Sequence, residues 1–379
     1  MGRFEQWVRP VWAEIDLGAI RHNLREIRRL VGPGVEMMAV VKAEAYGHGA
    51  IEVARTALDS GASWLGVAIP EEGVKLRQAG LTAPVLVFGP LQVSQVSVFL
   101  EYDLIPTVCT LEAAVALSRE AVKIGKVAKV HIKVDTGMNR IGIHYSDTSR
   151  FVHKVTQFPG IKITGVYSHL ATADHADKEL AKLQIKRFTE VISQLKKDNL
   201  LPEKVHLANS AAIMDLPNSY FNMVRPGIIL YGLTPSTEMS NPSEVNLKPA
   251  LKLKTRVAFV KKVPPRSGIS YGYRYYTKKE TTIATIPIGY ADGWSRMLTN
   301  KCMAMIGGKK YPIVGTICMD QCMVDVGDDP VEIGDEVTLI GVDGDQAITA
   351  DEIAGILGTI NYEVTCMLSD RIQRVYLNQ

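Results

Sequence analysis

Between residues 35 and 232 the chain alternates short apolar runs rich in Val and Ile with amphipathic stretches, and eight such runs stand out. They are VEMMAVVKA from Val35, WLGVAI from Trp64, PVLVFG from Pro84, LIPTVC from Leu104, KVHIKVDT from Lys129, IKITGVYSHL from Ile161, KVHLANS from Lys204 and MVRPGIILYG from Met223. Near-continuous apolarity is the pattern of strands buried on both faces, whereas the intervening IEVARTALDSG and EEGVKLRQAG have helical spacing and end in Gly. Eight strand and helix units in roughly 200 residues predict an N-terminal (β/α)8 barrel of the TIM type. Past LYGLTPSTEMSNPSEVNLKP the pattern turns to alternating strands with hairpin signals: LKLKTRVAFVKKV, TTIATIPIG and CMAMIGGKKYPIVGTI, with one helix at TADEIAGILG. The expected architecture is therefore α/β: a barrel over 12–245 followed by a mostly β domain over 246–379, with residues 1–11 expected to pack with it.

Composition narrows the partners. Hydrophobic residues make up 46% and charged residues 22% of the 379 positions, which leaves ample apolar surface for a large core and little room for disorder. Lys plus Arg number 43 against 40 for Asp plus Glu, and a balance of +3 without a basic stripe argues against nucleic acid. No apolar run approaches the roughly 18 residues needed to span a bilayer. MGRFEQWVRP has neither a signal-peptide core nor the Ser or Thr that myristoylation prefers, so a cytoplasmic location without membrane attachment is expected. Five cysteines, an odd number without a paired framework, suit a reducing compartment. Cys318 and Cys322 are four apart, yet no second pair at zinc spacing and no His cluster accompanies them, so no metal is expected.

The active site of a parallel barrel lies at the C-terminal ends of its strands, and the residues just past these runs are chemically rich. Lys42 closes the first run; Lys133, Asp135 and Arg140 fall in KVDTGMNR; His169 ends YSHL; Asn209 and Ser210 end HLANS; Arg225 sits in VRPG. A strand-end lysine is partly desolvated, which lowers its pKa and frees the amine as a Schiff-base nucleophile, although position alone fits equally a lysine reaching out to solvent. Gly47 and Gly49 permit close backbone approach, and Ser210, Gly227 and Ile228 follow the late strands, where barrels commonly bind phosphate. A lysine with a phosphate cradle is what pyridoxal 5'-phosphate (PLP) requires.

The segments VVKAEAYGHG, KVDTGMNRIG, HLANSAA, VRPGIILYG, SYG, IPIGYADGW, CMDQ and INYEV resemble, in order and spacing, the motifs of bacterial alanine racemases from about residue 12 to the C-terminus. The resemblance implies a fold-type III PLP enzyme that interconverts L-alanine and D-alanine, supplies D-alanine for peptidoglycan in the cell wall, and works as a homodimer. Each site would combine one subunit's barrel with the partner's β domain. Lys42 would hold PLP, and Tyr271 would be the opposing acid/base from the other subunit. Tyr46, Ser210, Gly227, Ile228 and Tyr362 would hold the phosphate, with Arg225 at the pyridine nitrogen and His169 linking Arg225 to Tyr271. Arg140 and the Met319 backbone would engage the substrate carboxylate, with Tyr290 at the entrance and Asp320 and Lys133 in support. The family commonly carbamylates a lysine at the Lys133 position, turning a cation into an anion able to orient Arg140.

These assignments agree with elementary chemistry. Racemisation removes a proton from one face of the α-carbon and returns one to the other, so it needs two bases, here one Lys and one Tyr. A tyrosine near pKa 10 needs its phenolate stabilised, which His169 backed by Arg225 would do. An arginine only donates, so it keeps the pyridine nitrogen unprotonated, disfavouring decarboxylation and transamination. Taken singly, Tyr271 and Tyr290 read as strand aromatics, His169 as a core histidine and Arg140 as an ion-pair partner of Asp135. Among other readings, a noncatalytic PLP-binding protein would resemble the barrel alone, and a PLP decarboxylase would pair the pyridine nitrogen with a carboxylate. A broad-specificity or serine racemase differs in loops that set pocket volume. Two positions depart from the family pattern: Glu44 stands where Asn is more usual, adding negative charge near Lys42, and Thr316 where arginine is often found, loosening or neutralising the entrance.

Overall fold

The computed structural model of the protein describes residues 9–239 and 245–379, so most of the N-terminal segment expected to pack with the β domain, residues 1–8, lies outside the described residues. Two compact units make up the chain. One takes Ala19–Ala45 and Gly49–Pro249; the other takes the N-terminal segment up to Gly18, Tyr46–His48 and Ala250–Gln379.

Among the described residues the strands are β1 Val11–Asp16, β2 Glu36–Val40, β3 Trp64–Val67, β4 Val85–Pro90, β5 Ile105–Val108, β6 Ala128–Asp135, β7 Ile143–His144, β8 Ile161–Tyr167, β9 Lys204–His206, β10 Met223–Val224, β11 Leu251–Arg256, β12 Phe259–Val263, β13 Thr281–Ile286, β14 Met303–Ile306, β15 Lys309–Val314, β16 Cys322–Gly327, β17 Glu336–Asp343, β18 Gln346–Ile348 and β19 Gln373–Leu377. In the first unit all eight predicted runs become strands. β2, β3, β4, β5, β6, β8, β9 and β10 pair in parallel, and β10 returns to β2, closing a TIM-type barrel; β7 is an addition beside β6.

Closure leaves no edge and requires that inward side chains fill the middle. Met38, Trp64, Leu86, Ile105, Tyr167 and Met223, one each from six strands, form that filling. His131 of β6 joins them, tilted against Trp64 at 5.2 Å, and its register partner on β8 is Gly165. A Cβ at Gly165 would stand 2.5 Å from the imidazole, so glycine here is a packing requirement.

The second unit is built on a sheet in the order β12-β13-β16-β15-β14-β17-β11-β1-β19, with β18 beside β17. β1 pairs antiparallel with β11 and parallel with β19, tying together distant parts of the sequence. The run LKLKTRVAFVKKV forms two strands, β11 and β12. At its joint the Val257 amide donates to Asp335 O and the Ala258 amide to Thr285 O, so the chain passes from β17's neighbourhood to β13's. The helix Ala350–Leu357 forms as expected, its N-terminal amides capped where Thr349 accepts from Glu352 N at 3.0 Å. The helix Asn361–Cys366 was not expected; six residues are too few to carry a helical period. Among the described residues no helix is long and apolar enough to cross a membrane.

Gly165→Ala should destabilise the protein by about 1–3 kcal/mol, the cost of overpacking a filled core. Urea unfolding of the purified variant checks this; a change within error would mean that the barrel interior yields where His131 now sits.

Candidate active site

Because the barrel strands are parallel, the residues that follow them collect at one end. Lys42 follows β2, Lys133 lies near the end of β6 with Arg140 beyond it, His169 follows β8, Ser210 follows β9, and Arg225 and Gly227 follow β10. β10 and β2 are neighbours, and Val40 N donates to Pro226 O at 3.0 Å, which sets the Lys42 and Arg225 segments side by side.

Lys42 is half-buried and opens an unusual backbone. Ala43, Glu44, Ala45 and Tyr46 have φ of 50, 52, 53 and 54°, a left-handed turn of non-glycine residues. Such a conformation costs about 1–2 kcal/mol per residue, so other groups must impose it. Ala45 N donates to Val41 O (3.0 Å) and Gly49 N to Glu44 O (2.7 Å), while Ala43 N donates to Glu72 Oε1 at 2.6 Å. Glu72 is itself fixed by the Ala68 and Ile69 amides at the start of the helix Pro70–Gln78. Glu44, expected to perturb Lys42, forms an ion pair with Lys75 at 2.5 Å, so its charge is met locally.

Arg225 is 4% exposed, and each of its partners is uncharged. Nη1 lies 2.8 Å from His206 Nδ1, and Nη2 donates to Ser168 O and Leu207 O at 2.8 and 2.9 Å and lies 3.2 Å from His169 Nδ1. Since arginine only donates, both imidazoles accept through Nδ1 and carry their proton on Nε2. His206 then donates from Nε2 to His131 Nδ1 at 3.0 Å, leaving the His131 proton on a buried Nε2 that has no partner among the described residues. Both rings are thus neutral. Burial, with the Arg225 charge second, lowers His131 to about 3 and His206 well below its ordinary value. Burial also lowers Arg225, to about 10, which leaves it charged at neutral pH.

His169 titrates far below its usual range, through loss of water first and then the positive charges of Lys133, Arg225, Arg140 and Lys42. Lys133, 4% exposed, is pushed well below its ordinary value by burial and then by Arg225 and Arg140; its Nζ stands 4.3 Å over the Tyr167 ring. Tyr167 stacks on His206 at 4.7 Å and donates to Thr107 Oγ1, whose own proton goes to Val87 O. Asp135 Oδ1 accepts the Gly137 and Asn139 amides, and Arg140 makes no ion pair with it. Ser210 Oγ accepts from Gly227 N at 2.9 Å, which leaves its hydroxyl proton to donate, and Ile228 opens a 3-10 turn with an amide that has no intra-turn acceptor. Hydroxyl and amide donors together fit a phosphate, and a buried cation lacking a carboxylate fits an unprotonated pyridine nitrogen, so these residues suit PLP.

The β unit holds the other predicted residues. Tyr46 and Tyr362 pack at 5.9 Å between ring centroids. Tyr271, Tyr290, Arg296, Cys318, Met319 and Asp320 line a recess of about 590 Å³. Tyr271 is 74% exposed. Met319 O accepts from Ala291 N at 3.0 Å, whereas the Met319 amide has no acceptor among the described residues; Asp320 is held by Arg371 at 2.7 Å.

Sequence reasoning missed His206, His131 and Tyr167. A signal was present, since KVHIKVDT and KVHLANS both begin Lys-Val-His and so carry a histidine to the same place on β6 and β9. It also missed the left-handed turn and the role of Glu72.

Comparison with known proteins agrees over both units. The family model "Alanine racemase, N-terminal domain" matches residues 15–235 and "Alanine racemase, C-terminal domain" matches 250–376. The chain is 48% identical over 373 residues to an alanine racemase of Halothermothrix orenii, covering 98% of each, and 47% identical over 372 residues to one of Methanococcus maripaludis, covering 97% of this chain and 99% of that one. Among solved structures, an alanine racemase of Clostridium difficile 630 superposes with a TM-score of 0.94 at 40% identity, over 98% of this chain and 97% of that one. One from Bacillus anthracis with bound L-Ala-P gives 0.92 at 42% identity, over 98% and 96%. With matches of this extent across barrel and β unit alike, the chain belongs to the alanine racemase family of isomerases.

Proposed function

We propose that the protein is a cytoplasmic, PLP-dependent enzyme that interconverts L-alanine and D-alanine and supplies D-alanine for peptidoglycan. It would act as a homodimer in which the partner subunit's β unit completes each barrel site. The observation that carries this reading is the buried Arg225, whose partners are all neutral, beside a strand-end lysine on the neighbouring strand. When bound, PLP supplies an electron-withdrawing ring that acidifies the α-proton of an amino acid joined to it.

The chain's own residues divide the remaining work. Ser210, Gly227, Ile228, Tyr46 and Tyr362 would hold the phosphate. Arg225 would donate to the pyridine nitrogen and, staying protonated itself, leave that nitrogen a weak attractor of electrons, which favours reversible proton transfer over decarboxylation or transamination. Lys42 would anchor the cofactor and exchange the α-proton on one face; Tyr271 would do so on the other. Neutral His169, with Nδ1 turned to Arg225, keeps its proton on Nε2, where it can donate to a Tyr271 phenolate and lower the cost of forming it. Arg140 and the unused Met319 amide would take the substrate carboxylate, and Tyr290 and Asp320 would shape the entrance. Tyr271, Tyr273, Tyr276, Met297 and Met319 are all more than half exposed on the β unit, an apolar display that suits coverage by a second subunit.

Burial first, and then the Arg225 and Arg140 charges, lower the Lys133 pKa well below its ordinary value, which favours the nucleophilic free amine. Adding carbon dioxide, with loss of one proton, gives a carbamate whose negative charge would meet Arg140.

Purified protein supplied with PLP should convert L-alanine to a racemic mixture, followed by circular dichroism, and borohydride should fix a pyridoxyl label on Lys42; a label elsewhere would refute the assignment. Mixing the inactive Lys42→Ala and Tyr271→Phe proteins should restore activity, because one site of the mixed dimer holds both native residues. No recovery where subunits demonstrably exchange would rule out a shared site. In 13C-bicarbonate the protein should give a carbamate carbon resonance that Lys133→Ala abolishes, and a signal that survives the substitution would place the modification on another residue.

A further inference from the structure

Ser270, next to the proposed base Tyr271, has φ 63° and ψ −172°, a region open essentially to glycine alone. A serine there must be forced, and the contacts that force it are reciprocal. Ser270 Oγ donates to Thr316 O at 2.6 Å, while Thr316 Oγ1 donates to Tyr271 O at 2.7 Å. The Cys318 thiol lies 3.3 Å from Ser270 Oγ and closes on the same pair. Thr316 is 1% exposed, and the segment bearing it is anchored on both sides: Gly315 N donates to Asn300 Oδ1 at 2.6 Å and Ile317 N to Thr299 Oγ1 at 3.2 Å. Asn300 also reaches over the loop, its Nδ2 donating to Arg274 O at 3.1 Å. Gly315 leaves no slack, since a Cβ there would stand 2.7 Å from Ile269 O and 3.0 Å from Ser270 Cβ.

The Tyr271 side chain, by contrast, is exposed and its hydroxyl has no partner among the described residues. Within this chain, then, the direction of its Cα–Cβ bond is fixed by the backbone, and the backbone is fixed by Thr316. We propose that Thr316 and Ser270 form a hydroxyl clamp that positions Tyr271 for proton transfer. Both are positioning residues, and the proposal rests on Tyr271 being the base assigned above. It also gives Thr316 a purpose distinct from the loosening expected at this departure from the family pattern: its hydroxyl holds the base's own carbonyl, on a short β-branched side chain with few rotamers.

The test separates the two faces of the reaction. Thr316→Val keeps the shape and removes the donor. In heavy water, single-turnover α-proton exchange from L-alanine should fall about tenfold to 10²-fold, the scale of a misplaced reacting group, while exchange from D-alanine should stay within about twofold. Thr316→Ser should restore most of the loss. Without cofactor, amide hydrogen exchange of the peptide spanning 268–274 should quicken in Thr316→Val at unchanged melting temperature. Ser270→Ala, which removes the other half of the clamp, should show the same asymmetry and serves if Thr316→Val does not fold. Equal loss from both enantiomers, no loss, or unaltered amide exchange would overturn the clamp. Tyr271→Phe is the control: if it is L-selective while the clamp variants are not, the clamp falls and the base assignment stands, and if it is not L-selective both fall.

Discussion

A permanent cation sealed in the barrel without an anion governs the site. Removing a guanidinium from water costs several kcal/mol, and an ion pair is the usual remedy. Here Arg225 is met instead by two backbone carbonyls and two imidazole nitrogens. This choice propagates outward. Each imidazole must be neutral and must present Nδ1, which settles the tautomers of His169 and His206, and through His206 that of His131. Tyr167 can then stack on a neutral ring, and its raised pKa keeps it a phenol. Burial, and after it the positive field left uncancelled, lowers the Lys133 pKa well below its ordinary value. A carboxylate in place of His206 would oppose that field, favouring protonation of Lys133 and the remaining imidazoles.

The same field shapes what the site can bind. Anions gain most from an uncompensated guanidinium in low dielectric, and the guests proposed for the site, a phosphate and a carboxylate, are anionic. A pyridine nitrogen facing a donor that never releases its proton remains a lone-pair acceptor. In the proposed site Arg225 would therefore tie cofactor electronics to substrate charge, and the histidines behind it hold the geometry without neutralising it.

Much of the fold was legible because a strand buried on both faces has little choice of residue: the eight Val- and Ile-rich runs each became a barrel strand. The joint at Val257 and Ala258 was not, since both residues are apolar and only their backbone partners reveal the change of neighbour. Residues such as Lys42, Ser210 and Arg225 could be found because they sit just past apolar runs, where local order betrays them. His206 and Thr107 lie inside such runs and look like ordinary strand residues. What distinguishes them is contact with Arg225 and Tyr167, at separations of 19 and 60 residues. The Lys75 that answers Glu44 is likewise 31 positions away. Pairings of that range leave no periodic trace in one sequence.

Both proposed proton-handling residues adjoin backbone that L-amino acids avoid: Lys42 is followed by four left-handed residues, and Tyr271 is preceded by Ser270. The two solutions differ in how the conformation is enforced. At Lys42 the turn is held mainly by backbone amides and one half-buried carboxylate anchor, Glu72, so several bonds share the strain and the lysine's long side chain tolerates small errors in its origin. At Tyr271 the reach is shorter and stiffer, two χ angles on a planar ring, and the enforcing contacts are two hydroxyls exchanged with one threonine. A flexible base can sit on an approximate platform, whereas a rigid one needs its platform set to within a fraction of an ångström. The denser bracing beneath Tyr271, running through Thr316 to Gly315, Thr299 and Asn300, follows from that difference in side-chain freedom.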